Sequence, residues 1–260
     1  MPTTPSAGPS RALSFSGAAA LYAAARPGYP PEVFVALEEA AGRTLDTLRA
    51  VDVGAGTGIA TRELVRRGAH VVAVEPGEGM AAELRRSLPE VPVVRGDGNR
   101  LPLADDSAGL VTYAQSWHWT DPARSWPEAA RVLRPGGVLA LWWNVADHRA
   151  PWVAEQNARI RRHLGADHGV HGTPAPGTAS RAVGLPEKGT VSRRLPWARR
   201  VSVATHLDNL AGHSAFLVRG GEHAERDRRF FAEEGDRLRE LFPDGAVEER
   251  YVVDLTTTTV

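Results

Sequence analysis

The run Val51-Asp52-Val53-Gly54-Ala55-Gly56-Thr57-Gly58 constrains this chain more than any other stretch. Leu48 to Val53 supply an apolar strand, Ile59 to Arg67 continue as a helix, and the turn between them has a glycine at every second position. With no side chains in the way, the backbone curls tightly and lets a ligand come against it. Strand, glycine turn and helix together form the usual nucleotide cradle of a doubly wound sheet. Spacing then selects the ligand. A dinucleotide fingerprint requires its third glycine at position 59, where this chain has Ile59, and it holds a pyrophosphate on the helix N-terminus. Here the pattern is acidic-x-Gly-x-Gly-x-Gly, led by Asp52, which suits a ligand with an ammonium group and no phosphate.

Val71 to Glu75 reads as a second, β-branched strand that ends in a carboxylate 17 residues after Gly58. In this topology an acid at the tip of the second strand accepts both hydroxyls of a ribose. Val91 to Gly98 reads as a third strand entering a loop, where Asp97 is placed to accept an adenine amino group. Leu110 to Gln115 reads as a fourth strand, and Arg131-Val132-Leu133-Arg134-Pro135-Gly136-Gly137 ends a helix and turns into a fifth, Val138 to Trp143. The glycine turn, Glu75, the loop Gly96-Asp97-Gly98-x-x-Leu101-Pro102 and the Arg-Pro-Gly-Gly turn, in that order, resemble the class I S-adenosylmethionine-dependent methyltransferases. The resemblance is close over residues 14–145 and loose beyond. It implies an α/β, Rossmann-like fold: a doubly wound, seven-stranded, mostly parallel sheet with an antiparallel last strand pair. It also implies S-adenosyl-L-methionine as cofactor, held by Asp52, Gly54, Ala55, Gly56, Thr57, Glu75, Pro76, Asp97, Gly98 and Gln115, with Met80 packed on the adenine face.

The segment Tyr22-x-x-x-Arg26-Pro27-x-Tyr29-Pro30 resembles a signature of the branch that includes ubiquinone-type and trans-aconitate-type enzymes. Tyr22 and Arg26 stand four apart, on one helix face. The resemblance implies that Arg26 forks onto the carboxylate of the methionine moiety and that Tyr22 sits near the transferred methyl. An amphipathic helix packing its tyrosine on the sheet is the other reading. Past the fourth strand, Gln115-Ser116-Trp117-His118-Trp119 falls where ligands of such sheets sit. Six of the seven tryptophans lie between Trp117 and Trp152, which predicts an aromatic wall. His118 is the candidate base, with orientation of the loop as its alternative role.

A chain of 260 residues with 42% hydrophobic content suits one soluble α/β enzyme domain. No apolar run reaches membrane-spanning length, no secretory signal precedes the fold, and cysteine is absent, so a cytoplasmic location is expected. Thirty-one basic residues balance 31 acidic ones, which gives no electrostatic case for nucleic acid. Residues 1–12 read as a disordered tail and 13–260 as the domain, with 144–196 a cap over the acceptor. Within the cap, Trp152 to Leu164 has a helical pattern, while Gly165 to Gly189 is rich in glycine, proline and histidine and reads as mobile. His163, His168 and His171 fall here, and a glycine-rich loop supplies metal ligands poorly, so no metal is expected. Arg199 to Ala204, Glu222 to Leu241 and Val247 to Leu255 read as strand, long polar helix and strand. Arg149, Arg159, Arg161, Arg162 and Arg181 in the cap favour an anionic acceptor and hence O-methylation of a hydroxyl or carboxylate. N- or C-methylation, a protein that keeps the cofactor without methylating, and a nicotinamide-dependent oxidoreductase are the alternatives.

Overall fold

The computed structural model describes residues 25–165, 184–217 and 221–260. The expected tail, the helix carrying Tyr22 and most of the expected mobile segment lie outside these residues.

The strands are β1 (Arg49–Val53), β2 (His70–Val74), β3 (Val93–Val94), β4 (Ala108–Ala114), β5 (Leu133–Ala146), β6 (Thr190–Ser202) and β7 (Ala246–Thr259). The helices are α1 (Pro31–Ala41), α2 (Ile59–Arg66), α3 (Glu78–Ser87), α4 (Pro122–Val132), α5 (Pro151–Leu164), α6 (Val203–Ala211), α7 (Ser214–Leu217) and α8 (Ala224–Leu241). All seven strands form one sheet in the order β3-β2-β1-β4-β5-β7-β6. The first five pair in parallel, and β7 runs antiparallel to both β5 and β6. This is the doubly wound, mostly parallel sheet with an antiparallel terminal pair expected of a Rossmann-like fold.

Side chains of a strand alternate between faces, so one sheet makes two cores. On one face Phe34 and Leu37 of α1 and Leu64 of α2 pack on Ala50, Leu110 and Trp142. On the other, Ala129 and Val132 of α4 pack on Val53, Val111 and Trp143. Pro31 opens α1, where a missing N–H is harmless, and Gly42 ends it in the left-handed region at φ 62°. Beyond the sheet, Ile160, Leu164, Leu210, Phe216 and Phe230 make a third cluster, which joins α5 to α8 into a helical layer.

Two boundaries differ from the sequence reading. β6 starts at Thr190, nine residues before the expected Arg199, and β5 continues to Ala146, so the ends of the 144–196 span lie in the sheet. β6 is an edge strand, half-exposed or exposed along its whole length, and carries Arg193, Arg194, Arg199 and Arg200. Such an edge needs no apolar alternation, and charge protects it from pairing with other chains. The helices that pack beside α5 also come from residues 203–241, well past the expected cap.

Candidate active site

The glycine turn leaves β1 and enters α2, and its glycines have different tasks. Gly54, at φ 66°, lies so close to Ser116 that an added Cβ would stand 2.5 Å from the serine Cβ. Gly56, at φ 58°, has nothing within 4 Å of such an atom, so its backbone opens on free space. Gly54 and Ala55 donate their N–H groups to Val74 O at 2.8 and 3.2 Å, tying the turn to β2. Thr57 is buried, and its Oγ1 has no hydrogen-bond partner.

Asp52 lies beneath the turn. It is fully buried, and its carboxylate accepts from the Thr61 hydroxyl at 2.6 Å and the Thr112 hydroxyl at 2.9 Å. Burial pushes its pKa up to about 6, against the opposing pull of those hydroxyls. Both carboxylate oxygens are thereby covered from solvent and taken up by threonine hydroxyls. Thr61 and Thr112 went unread in the sequence; the signal was a threonine on the first turn of α2 and another inside an otherwise apolar β4.

Glu75 sits at the tip of β2 as expected. One carboxylate oxygen accepts from Gly56 N–H at 2.8 Å and the other from Gly77 N–H at 2.7 Å. Burial raises its pKa against those two amides, and the Asp52 charge adds to the rise. Each oxygen keeps a lone pair for a further donor. Pro76 follows and takes the Arg95 guanidinium on its carbonyl at 2.6 Å, and Met80 is buried in the first turn of α3. Asp97 is exposed, accepting from the Asn99 backbone and side-chain amides at 2.9 and 2.8 Å. Gly98 is buried and its carbonyl takes the Tyr113 hydroxyl at 3.1 Å. Asn99 also accepts from Asp121 N–H and the Ser125 hydroxyl, anchoring this loop to α4.

Gln115 follows β4 at φ 60°, a left-handed conformation uncommon outside glycine, and donates its N–H to Trp142 O at 2.8 Å. His118 follows in a short turn of helix. Its Nδ1 accepts from the Trp143 indole N–H at 3.1 Å, and its ring lies 4.6 Å from that of Trp119. The residue reaches solvent, yet loss of hydration on the side of those indoles lowers its pKa. An indole only donates, so Nδ1 is unprotonated and the proton of the neutral ring is on Nε2.

Two expectations change here. The tryptophans do not form one wall: Trp142 and Trp143 face opposite cores, and Trp152 packs against His206 and Phe242 in the helical layer. The arginines expected to receive an anion are partly committed, Arg149 to Asp147 and Arg159 to Glu234. Arg161 and Arg162 are exposed, and Arg181 lies outside the described residues. Arg26 directs Nη1 to Asn209 Oδ1 at 3.5 Å and to the His213 ring at 3.2 and 3.3 Å. Among the described residues no three histidine, cysteine or carboxylate side chains converge on a metal position, and no helix is long and apolar enough to cross a membrane.

Residues 51–141 match the family described as Methyltransferase domain. An uncharacterized methyltransferase of Mycobacterium tuberculosis is 42% identical over 204 residues, covering 78% of this chain and 77% of that protein. The chain belongs to the class I S-adenosylmethionine-dependent methyltransferases. A demethylmenaquinone methyltransferase of Beutenbergia cavernae is 39% identical to this methyltransferase over 105 residues, 38% of this chain and 44% of that one. The solved structure of an Anaeromyxobacter dehalogenans protein, assigned as a type II methyltransferase, superposes with a TM-score of 0.66 at 25% identity, covering 90% of this methyltransferase and 97% of that chain. The residues present fit S-adenosylmethionine: open space at Gly56, an unpartnered hydroxyl on Thr57, and acceptor capacity left on Glu75.

Proposed function

We propose that this methyltransferase delivers the methyl group of S-adenosylmethionine to an oxygen of a small-molecule acceptor, a carboxylate ahead of a hydroxyl. The cofactor supplies a methyl group already activated by sulfonium charge. The protein's part is to hold the nucleophile in line and keep water out. A side-chain base is needed only where the nucleophile must shed a proton. His118 is the candidate for that task, and the bond from Trp143 occupies its one basic nitrogen. That bond carries the reading. A carboxylate arrives at neutral pH already ionised and asks nothing of His118, whose role becomes orientation of the loop.

In the same reading Glu75 accepts the ribose hydroxyls, Asp97 the adenine amino group, and Met80 packs on the adenine. Gly54 to Thr57 receive the methionine portion, with the Asp52 charge beneath its ammonium and Gln115 closing the edge toward the acceptor. Arg26 is better suited to the acceptor side, given its reach to Asn209 and His213.

The test is transfer of a radioactive methyl group from S-adenosylmethionine to panels of carboxylic acids, phenols and amines. Label released as methanol by mild alkali marks a methyl ester, and turnover at saturating S-adenosylmethionine should then be flat between about pH 7 and 8 because a carboxylate is ionised throughout. Label on amine nitrogen or ring carbon, stable to alkali, would overturn the oxygen assignment while leaving the family intact.

A further inference from the structure

Residues 25–30 run from the first described residue to α1 without joining a helix or strand ladder beyond Ala25. Their carbonyls still need donors once they lie against the protein. Side chains from β5 and β6 supply them. Arg199 of β6 donates Nη2 to Ala25 O at 2.7 Å and Nη1 to Arg26 O at 3.2 Å. Asn144, near the end of β5, donates Nδ2 to Gly28 O at 2.9 Å. Tyr29 then sets its edge on Trp142 with ring centroids 5.5 Å apart.

These donors are themselves held in place. Arg199 stands opposite Glu249 in the β6–β7 register, and its Nε meets the Glu249 carboxylate at 2.5 Å. Glu249 is 2% exposed and also receives His206 Nδ1 at 2.7 Å. Two residues along, Trp197 stands opposite Tyr251, stacks on it at 5.3 Å, and donates its indole N–H to Asn144 Oδ1 at 2.9 Å. Positions two apart on a strand share a face, so Trp197 and Arg199 form one platform. A guanidinium suits this use because its planar fork serves a carboxylate on one edge and two carbonyls on the other.

We propose that Arg199 is a positioning residue for methyl transfer. Oriented by Glu249, it clasps the 25–30 strap across the carboxyl end of β5, the side of the sheet where this fold binds its ligands. The strap then retains the cofactor, and the β6–β7 pair sets where it lies.

The experiment compares wild-type protein with Arg199→Ala, Arg199→Lys and Trp197→Phe, using S-adenosylhomocysteine as probe. Arg199→Ala should speed amide hydrogen exchange at 25–30 by about tenfold or more, leave β1 to β5 protected, and raise the probe's dissociation rate about tenfold with little change in its association rate. Arg199→Lys keeps the charge with fewer donors and should restore part of both effects. Trp197→Phe keeps an aromatic ring beside Tyr251 but loses the N–H that orients Asn144, and should loosen exchange at Gly28 and Tyr29 more than at Ala25 and Arg26. It serves as the decisive variant if Arg199→Ala does not fold. A loosened strap with unchanged dissociation rate overturns the positioning role, as does strap exchange that Arg199→Ala and Trp197→Phe leave at the wild-type rate.

Discussion

Asp52 shows how one buried carboxylate is both a liability and a tool. Its pKa is lifted to about 6 by burial. Between the ordinary carboxylate range and pH 6 the folded chain holds a proton there that the unfolded chain has released. Folding stability therefore falls as pH rises across that window and is level above it. Asp52→Asn should raise stability by up to about 3 kcal/mol at pH 7.5, measured by urea unfolding, with the gain vanishing toward pH 4. The same variant removes the charge under the turn, so S-adenosylhomocysteine should bind more weakly by calorimetry. Glu75→Gln tests the neighbouring carboxylate. Its loss of charge should weaken the same ligand by about 1.5–3 kcal/mol, the value of a hydrogen bond to a charged group. The sequence made Asp52 and Glu75 visible as acids beside a glycine turn. It hid their difference, because which acid is covered depends on Thr61 and Thr112 arriving from two other elements.

At the scale of the element, the glycine turn and the end of β4 are one interlocked piece. Gly54→Ala would drive a methyl into Ser116 and should destabilise by several kcal/mol, as overpacking at a fixed backbone does, of order 2–4. Adding Ser116→Gly should return part of that loss, a coupling that thermal unfolding of the double variant would expose. Gly56→Ala should behave differently: about 1–2 kcal/mol for a left-handed alanine, yet no detectable S-adenosylhomocysteine binding by calorimetry, because its methyl projects into the open space. Elements with strong periodicity, such as α5 and α8, were legible to within two residues. β6 was not, because an edge strand with one face exposed and the other only half-buried answers to charge and pairing more than to an apolar rhythm.

Across the whole molecule, a line of buried polar groups joins the helical layer to the sheet. Glu234 of α8 is fully buried between Arg159 of α5 and Arg237, and Gln156 bridges from it to His206, which meets Glu249 of β7. Despite desolvation, His206 and Arg199 hold the Glu249 carboxyl below its usual range. Its contribution is thus fully present above the ordinary carboxylate pKa and is lost only as pH falls through the lower folded value. Acid titration followed by hydrogen exchange should show α5, α6 and α8 opening before β1 to β5, and Glu249→Gln should move that opening to higher pH. None of this line was visible in the sequence, where its members are scattered from 156 to 249 as ordinary polar residues.

The position of β7 between β5 and β6 also sets a timetable. Its pairing with β5 joins residues as far apart as Val138 and Thr259, whereas β1, β2 and β4 find partners much nearer along the chain. Distant pairings close late because a long loop must first be ordered. Until β7 docks, β6 has no neighbour in the sheet, and Arg199 and Glu249 have not met. On refolding from urea, far-UV ellipticity should therefore recover ahead of S-adenosylhomocysteine binding, and the slower phase should carry the return of the ligand site. The methyltransferase would regain its shape before it regained its grip.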